Sequence, residues 1–366
     1  MKRDLFIDYA KGIATLSVIF IHTVFWSGQF YVPTELRILS LLIDVPLFYA
    51  LSGITSGGNV DKTLMRLLKL QITYMLFVGL LFVLDYLIKV VGLSFFGEAA
   101  FKEMFQIFGE KYVPRSLSYY PQWQNLGNWW VHSYTNADSF PVVMGSFWYL
   151  KVYFILTVFG VLVLRFFPRH VEWIVAVCLG LTAIYALFPW LYPSGQVGYV
   201  ALYLGIFLLA NLLKGRKLSR TWGLILATAS ILSLGLLFYV KGTEYFYLIN
   251  KQKFPPRLPY VLWIAPSLLL LFYLYNRVKI SRASVVTFIG QNAIFFYFAQ
   301  GISSSLIYFM VVPLEELLPW PVLLILAFVV NALLAYGIAL VLKRYDSFGW
   351  NVLQRIKKAT ARKIPQ

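Results

Sequence analysis

One cysteine in 366 residues, Cys178, rules out an intramolecular disulfide, and its place inside an apolar run says nothing of the redox compartment. Charge is scarce: 13% of residues are Asp, Glu, Lys or Arg, against roughly 25% in soluble domains. Acids are scarcer still, 15 against 32 bases. Histidine occurs three times, as His22, His132 and His170. No metal-spaced cluster of His and Cys, P-loop, dinucleotide-binding glycine pattern or serine-hydrolase signature occurs, so no metal is expected and general base catalysis is the chemistry most available. Internal repeats, low-complexity segments and a fused soluble domain are also missing.

What the chain has instead is apolar surface: 60% hydrophobic residues and 18% aromatic ones. Hydrocarbon about 30 Å thick takes roughly 20 apolar residues per helix, and runs of that length recur, each closed by charge or by Pro and Gly. Ten spans are expected, at 5–26, 35–56, 71–94, 146–166, 171–189, 197–213, 221–240, 259–276, 284–312 and 321–342. A chain crossing lipid must satisfy its backbone internally, and the alternating pattern of a barrel is absent, so the fold class is all-α integral membrane. The first run follows Met1-Lys2-Arg3-Asp4 like a signal peptide, but no small-x-small cleavage site follows it, and it reads as a retained first helix.

A net charge of +17 would suggest nucleic acid in a soluble protein. Here the bases sit in short loops between apolar runs, as in Lys62, Arg66 and Lys69, or Lys214, Arg216, Lys217 and Arg220. That distribution marks the cytoplasmic side of a multi-pass protein of the cell membrane with both termini inside. No nucleic acid is expected as a partner; the lipid bilayer is. The domain reading is one membrane bundle over 1–345, followed by a basic cytoplasmic tail, 346–366.

Two loops on the outer side are long, 95–145 and 241–258. The first carries Tyr119, Tyr120, Trp123, Trp129, Trp130, His132 and Asp138 among amides and hydroxyls, a mixture able to stack on sugar rings. An interfacial aromatic belt would look the same.

Ionisable side chains inside a span are costly unless paired or hydrated, so each is a functional candidate. Asp8, Lys11 and His22 all lie in the first span. Eleven residues at about 100° each return to within about 20° of the start, so Lys11 and His22 share a stripe about 16 Å long, with Asp8 and Thr15 on it. Such a stripe lines a tunnel facing protein or water; alternatively Asp8 and Lys11 form a snorkelling pair and His22 an interfacial hydrogen bond. Near neutral pH histidine is the side chain best suited to take and return a proton, and His22 is the one within a span. Asp44 in the second span is placed to orient it if the two helices pack side by side. Asp85, Lys89 and Lys151 are further intramembrane or interfacial candidates.

The stretch from Ile7-Asp8-Tyr9-Ala10-Lys11 to His22 resembles the first-helix signature of the membrane acyltransferase-3 family, a basic residue, ten others and a histidine. Pro46-Leu47-Phe48-Tyr49-Ala50-Leu51-Ser52-Gly53 is similar to that family's PLFFxxSG segment, Arg66-Leu67-Leu68-Lys69 to its RxxR, Phe147-Trp148-Tyr149-Leu150 to its WFL, and Ile289-Gly290-Gln291-Asn292 to its late IGxNS. The five motifs fall in order over nearly the whole chain.

The resemblance implies ten membrane helices, an acyl-CoA donor held from the cytoplasm, and O-acylation of sugars or related acceptors outside. It gives His22 and Lys11 the paired essential roles and gives Arg66 and Lys69 the donor side; Asp8 and Asp44 are catalytic candidates from their own places in the first two spans. The expected acceptor contacts are Trp123, Trp129, Trp130, Trp148, Lys151 and Asn292, and the acceptor a glycan or lipid-linked sugar. Acetyl-CoA or another acyl-CoA is a co-substrate, and no cofactor is expected to be bound permanently. Lysine stands at 11 and at 69 where the family commonly has arginine, which keeps the charge and loses the planar fork. Gln300 stands where many members have a late histidine, which places more weight on His22. A transporter or exporter of a polysaccharide or small molecule, relaying protons along the same charges, is the rival reading, although no inverted repeat or matched pair of broken helices is found. A non-catalytic scaffold would leave the buried charges of the first span unexplained. Acyl-CoA hydrolysis or transfer by the purified protein separates these classes.

Overall fold

The computed structural model describes residues 4–104, 126–127, 130, 140–146 and 148–361, and among these the regular elements are all helical. The helices are α1 (Leu5–Phe25), α2 (Thr34–Ser40), α3 (Pro46–Thr55), α4 (Val60–Met104), α5 (Pro141–Ser146), α6 (Trp148–Phe166) and α7 (Val171–Leu187). They continue as α8 (Val200–Leu212), α9 (Arg220–Lys241), α10 (Leu258–Leu274), α11 (Val285–Gln291), α12 (Ala293–Leu306), α13 (Tyr308–Leu314) and α14 (Trp320–Ala361). Seven stretches among the described residues are long and apolar enough to cross a membrane. The apolar stretches at 197–212 and 258–274 are shorter, and the expected second span is broken into α2 and α3.

Local chemistry sets the ends. Asp4 Oδ1 accepts a hydrogen bond from the backbone N–H of Phe6 at 2.9 Å and caps α1. Pro46, which lacks an N–H, opens α3 after the break. Ser284 and Thr287 form a reciprocal capping box that starts α11. A left-handed Gly97, φ +73°, interrupts the long α4. The helix continuing from the last span runs through the expected tail as far as Ala361.

The side chains of α9 explain why lipid is required. Trp222, Leu224, Ile225, Ile231, Leu232 and Leu236 are all exposed, and Leu234 is the one residue of that helix that is fully buried. In water such a face would be a large unpartnered apolar patch. In hydrocarbon it is the expected surface.

The chain divides into two compact units, Met1–Leu67 with Trp148–Ala293, and Leu68–Phe147 with Ile294–Gln366. In the first, α3 packs along α8, α7 against α8, α1 along α11, and α9 along α10, around Tyr49, Leu51, Ile206, Phe207 and Tyr260. Gly53 lets α3 touch the backbone of α8 at Phe207, where any Cβ would collide with the carbonyl. Asn211 Nδ2 ties the two helices by donating to the carbonyls of Gly53 and Ser56, each at 3.0 Å. The glycine of the PLFFxxSG-like segment thus sits at a tight helix crossing, as small residues do inside membranes.

The second unit has its own polar interior. Ser303 Oγ donates to Asn331 Oδ1 at 2.6 Å, and Asn331 Nδ2 donates to Ser304 Oγ at 2.9 Å, joining α12 to α14 with all three residues fully buried. Phe77 of α4 stacks on Phe298 of α12 at 4.5 Å.

Candidate functional site

The first-helix stripe is fixed from two directions. On one side α11 lies backbone to backbone against α1. A Cβ on Gly12 would strike the carbonyl of Val286, and one on Gly290 would strike the carbonyl of Asp8. This close approach brings Gln291 Nε2 to 3.1 Å from Asp8 Oδ2, where it donates a hydrogen bond to the buried carboxylate. Two of the motifs that carry the family resemblance are therefore in contact, through residues 283 positions apart. On the other side Ser17 Oγ donates to the carbonyl of Ile43 at 2.6 Å, in the break between α2 and α3. Thr15 and Thr23 turn their hydroxyls back to the carbonyls of Lys11 and Ile19, each at 2.8 Å, which satisfies them without a partner in lipid. Lys11 and His22 are half-buried and Thr15 is buried, so the stripe faces protein along much of its length.

Asp44 finds partners other than His22 for its carboxylate. It sits in the α2–α3 break, 1% exposed, and its carboxylate is engaged by other groups. Oδ1 accepts from the N–H of Val45 at 2.7 Å, while Oδ2 takes both the Tyr260 hydroxyl at 2.8 Å and the Lys253 ammonium at 2.7 Å. The reason is local: interrupting the helix at 41–45 turns the carboxylate toward the start of α10, and the loop before α10 folds inward to meet it. A buried carboxylate in an apolar surround needs such partners, since an isolated charge there is far too costly.

Lys253 is the residue that sequence reasoning missed. Within Lys251-Gln252-Lys253-Phe254-Pro255-Pro256 it reads as one more base in a polar outer loop, yet it is 6% exposed. Its ammonium lies 5.5 Å from the ring of Trp148 and 5.3 Å from that of Phe254, within the range of cation–π attraction. Trp148 also meets Tyr199 at 5.3 Å, and Tyr203 stacks on Tyr49 at 4.6 Å. Tyr49 in turn donates from its hydroxyl to the carbonyl of Tyr149 at 3.4 Å. The tyrosines of the PLFFxxSG-like and WFL-like segments thus share one aromatic wall with Trp148. The aromatic content of both motifs was the signal available in the sequence; nothing there paired them with a loop lysine.

The remaining candidates are distributed. Asn292 is buried and donates its amide to the carbonyl of Phe288 at 2.8 Å, closing α11 on itself. Lys151 is exposed on α6. Arg66 and Lys69 are exposed one turn apart near the start of α4, and Lys69 lies 5.4 Å over the ring of Trp350. Trp130 is exposed and donates Nε1–H to the carbonyl of Met75 at 2.9 Å. Trp123, Trp129, His132 and Asp138 lie outside the described residues. Asp85 and Lys89 form a buried ion pair at 3.1 Å within α4, and Gln300 is buried with its amide donating to the carbonyl of Tyr297 at 3.1 Å. Asp8, Lys11, His22, Asp44, Arg66, Trp148, Lys151 and Asn292 belong to the first compact unit, and Lys69, Trp130, Asp85, Lys89 and Gln300 to the second.

In comparison with known proteins, a family model described as an acyltransferase domain matches the chain over residues 4–340. No curated protein and no solved structure matches the chain. That match takes in every one of the five motifs, and the α1–α11 contact joins the first of them to the last. With helices whose apolar faces require lipid and a family model spanning nearly its full length, the chain belongs to the acyltransferase-3 family and is a membrane acyltransferase.

Proposed function

We propose that the chain transfers an acyl group, acetyl in particular, from cytoplasmic acyl-CoA to a hydroxyl of an extracytoplasmic glycan, with His22 as general base. The reading includes ten crossings with both termini in the cytoplasm. The observation that carries it is the α1 stripe, in which a titratable imidazole and a cation share one face of a helix that α11 clamps at Gly12 and Gly290. In this reading the exposed Arg66 and Lys69 meet the phosphates of coenzyme A, with Lys11 deeper on the same path. The pantetheine arm follows the stripe toward His22.

The chemistry then balances with the groups present. The acceptor oxygen attacks the thioester carbonyl carbon as its proton passes to the His22 imidazole. The tetrahedral intermediate collapses with cleavage of the C–S bond, and the thiolate of coenzyme A leaves and takes up the proton. Free thiol and O-acylated acceptor are released. The test is transfer from radiolabelled acetyl-CoA supplied to one face of sealed, oriented vesicles. Label should reach the acceptor only with donor on the cytoplasmic face; equal transfer from either face would overturn the through-membrane route.

A further inference from the structure

The cluster around Asp44 has hydrogen-bonding capacity that the protein leaves unused. Lys253 Nζ carries three protons and, among the described residues, gives one to Asp44 Oδ2; at 6% exposure it has little water to take the other two. The Tyr203 hydroxyl is wholly buried and lies beside that of Tyr260 without completing a hydrogen bond. A buried polar group with no partner is costly, so such a group in a folded protein calls for an occupant. The surroundings say what kind. Trp148 and Tyr199 are partly exposed and meet at 5.3 Å with their planes 31° apart, and the more exposed Phe254 stands edge-on to Trp148 at 5.2 Å. Together they offer partly exposed ring surface beside directional donors. Asp44 and Lys253 also cancel in charge, so the cluster has no net attraction for a phosphate or a carboxylate.

We propose that Lys253, Tyr203, Trp148 and Tyr199 form a subsite for an uncharged sugar ring of the acceptor. The ring stacks on the two aromatic faces, and its hydroxyl oxygens accept from the Lys253 ammonium and the Tyr203 phenol. Asp44 and Tyr260 are positioning residues that hold the ammonium in place. This rests on the reading of the chain as a glycan O-acyltransferase, and it places acceptor recognition at the α6–α8–α10 cluster instead of at loop 95–145.

The experiment measures binding without catalysis. Purified full-length protein in detergent is titrated with methyl glucoside, methyl N-acetylglucosaminide and methyl glucuronide by saturation-transfer NMR, for the wild type, Tyr203→Phe, Trp148→Ala and His22→Ala. Tyr203→Phe removes only the unpartnered hydroxyl, so its melting temperature should hold or rise. Its affinity for a neutral glycoside should nevertheless fall about threefold to tenfold, as for one lost hydrogen bond. Trp148→Ala should lose binding, the charged glucuronide should bind more weakly than the neutral glycosides, and His22→Ala should bind like the wild type. Unchanged affinity in Tyr203→Phe, a lowered melting temperature in that variant, preference for the glucuronide, or no glycoside binding at all would each overturn the subsite. Intact glycoside binding by a protein that transfers no acetyl would instead overturn the enzymatic reading and leave the subsite standing.

Discussion

Gly290 in α11 lies flat against the backbone of Asp8 in α1, so close that any side chain on the glycine would overlap the Asp8 carbonyl. This contact sets the spacing at which Gln291 reaches the Asp8 carboxylate.

Replacing Gly290 with alanine should therefore separate the two helices. Overpacking of this kind costs about 1–3 kcal/mol, and the Asp8–Gln291 hydrogen bond would be lost with it. Thermal unfolding of the purified protein should show a lower midpoint, while Gly180→Ala, where nothing lies near the added methyl group, should not. An equal effect at both positions would mean that the α1–α11 approach is not tight.

His22→Ala should lower transfer by about a hundredfold to ten-thousandfold, the usual worth of a positioned general base, with the protein still folded and inserted. Lys11→Ala should be severely impaired, and Lys11→Arg should keep activity because the charge is retained. Full activity in His22→Ala would remove the imidazole from the mechanism.

Breaking the Asp44–Lys253 pair should matter more than deleting it. Lys253→Met leaves the Asp44 carboxylate charged and buried, at a cost of about 3–5 kcal/mol. The double variant Asp44→Asn, Lys253→Met removes both charges and should recover most of that loss. The readout is a double-mutant cycle on unfolding free energy. Additive losses would show that the two groups do not interact.

Mutating Arg66 and Lys69 together to alanine should raise the apparent KM for acyl-CoA and leave acceptor use nearly unchanged, because charge-assisted phosphate contacts are removed from the donor alone. Trp129→Ala with Trp130→Ala is the complementary variant. If the acceptor binds at Trp148 and Lys253, that variant should leave acceptor KM near the wild-type value; a large rise would return acceptor recognition to loop 95–145.

Asn331→Leu should destabilise by about 0.6–1.7 kcal/mol, the range found for interhelical hydrogen bonds in membranes, since it strips both Ser303 and Ser304 of their partner. Ser303→Ala in that background should add little, which a comparison of melting temperatures would show.

The sequence by itself determined the class, the order of the helices and the α1 stripe. Each depends on geometry internal to one segment: the length of an apolar run against the thickness of lipid, and about 100° of turn per residue from Asp8 to His22. It also marked Gly53 and Gly290 through the motifs around them, because a tight backbone approach leaves no choice of residue. Only the tertiary structure decided that the second span breaks at 41–45, that Asn292 closes its own helix, and that Asp44 faces Lys253 and Tyr260 in place of His22. Those outcomes turn on which distant segment supplies a partner for a polar group out of water. Asp44 and Lys253 are more than 200 residues apart, and no periodicity in either segment records that a loop folds inward until a lysine replaces the water a buried carboxylate has lost.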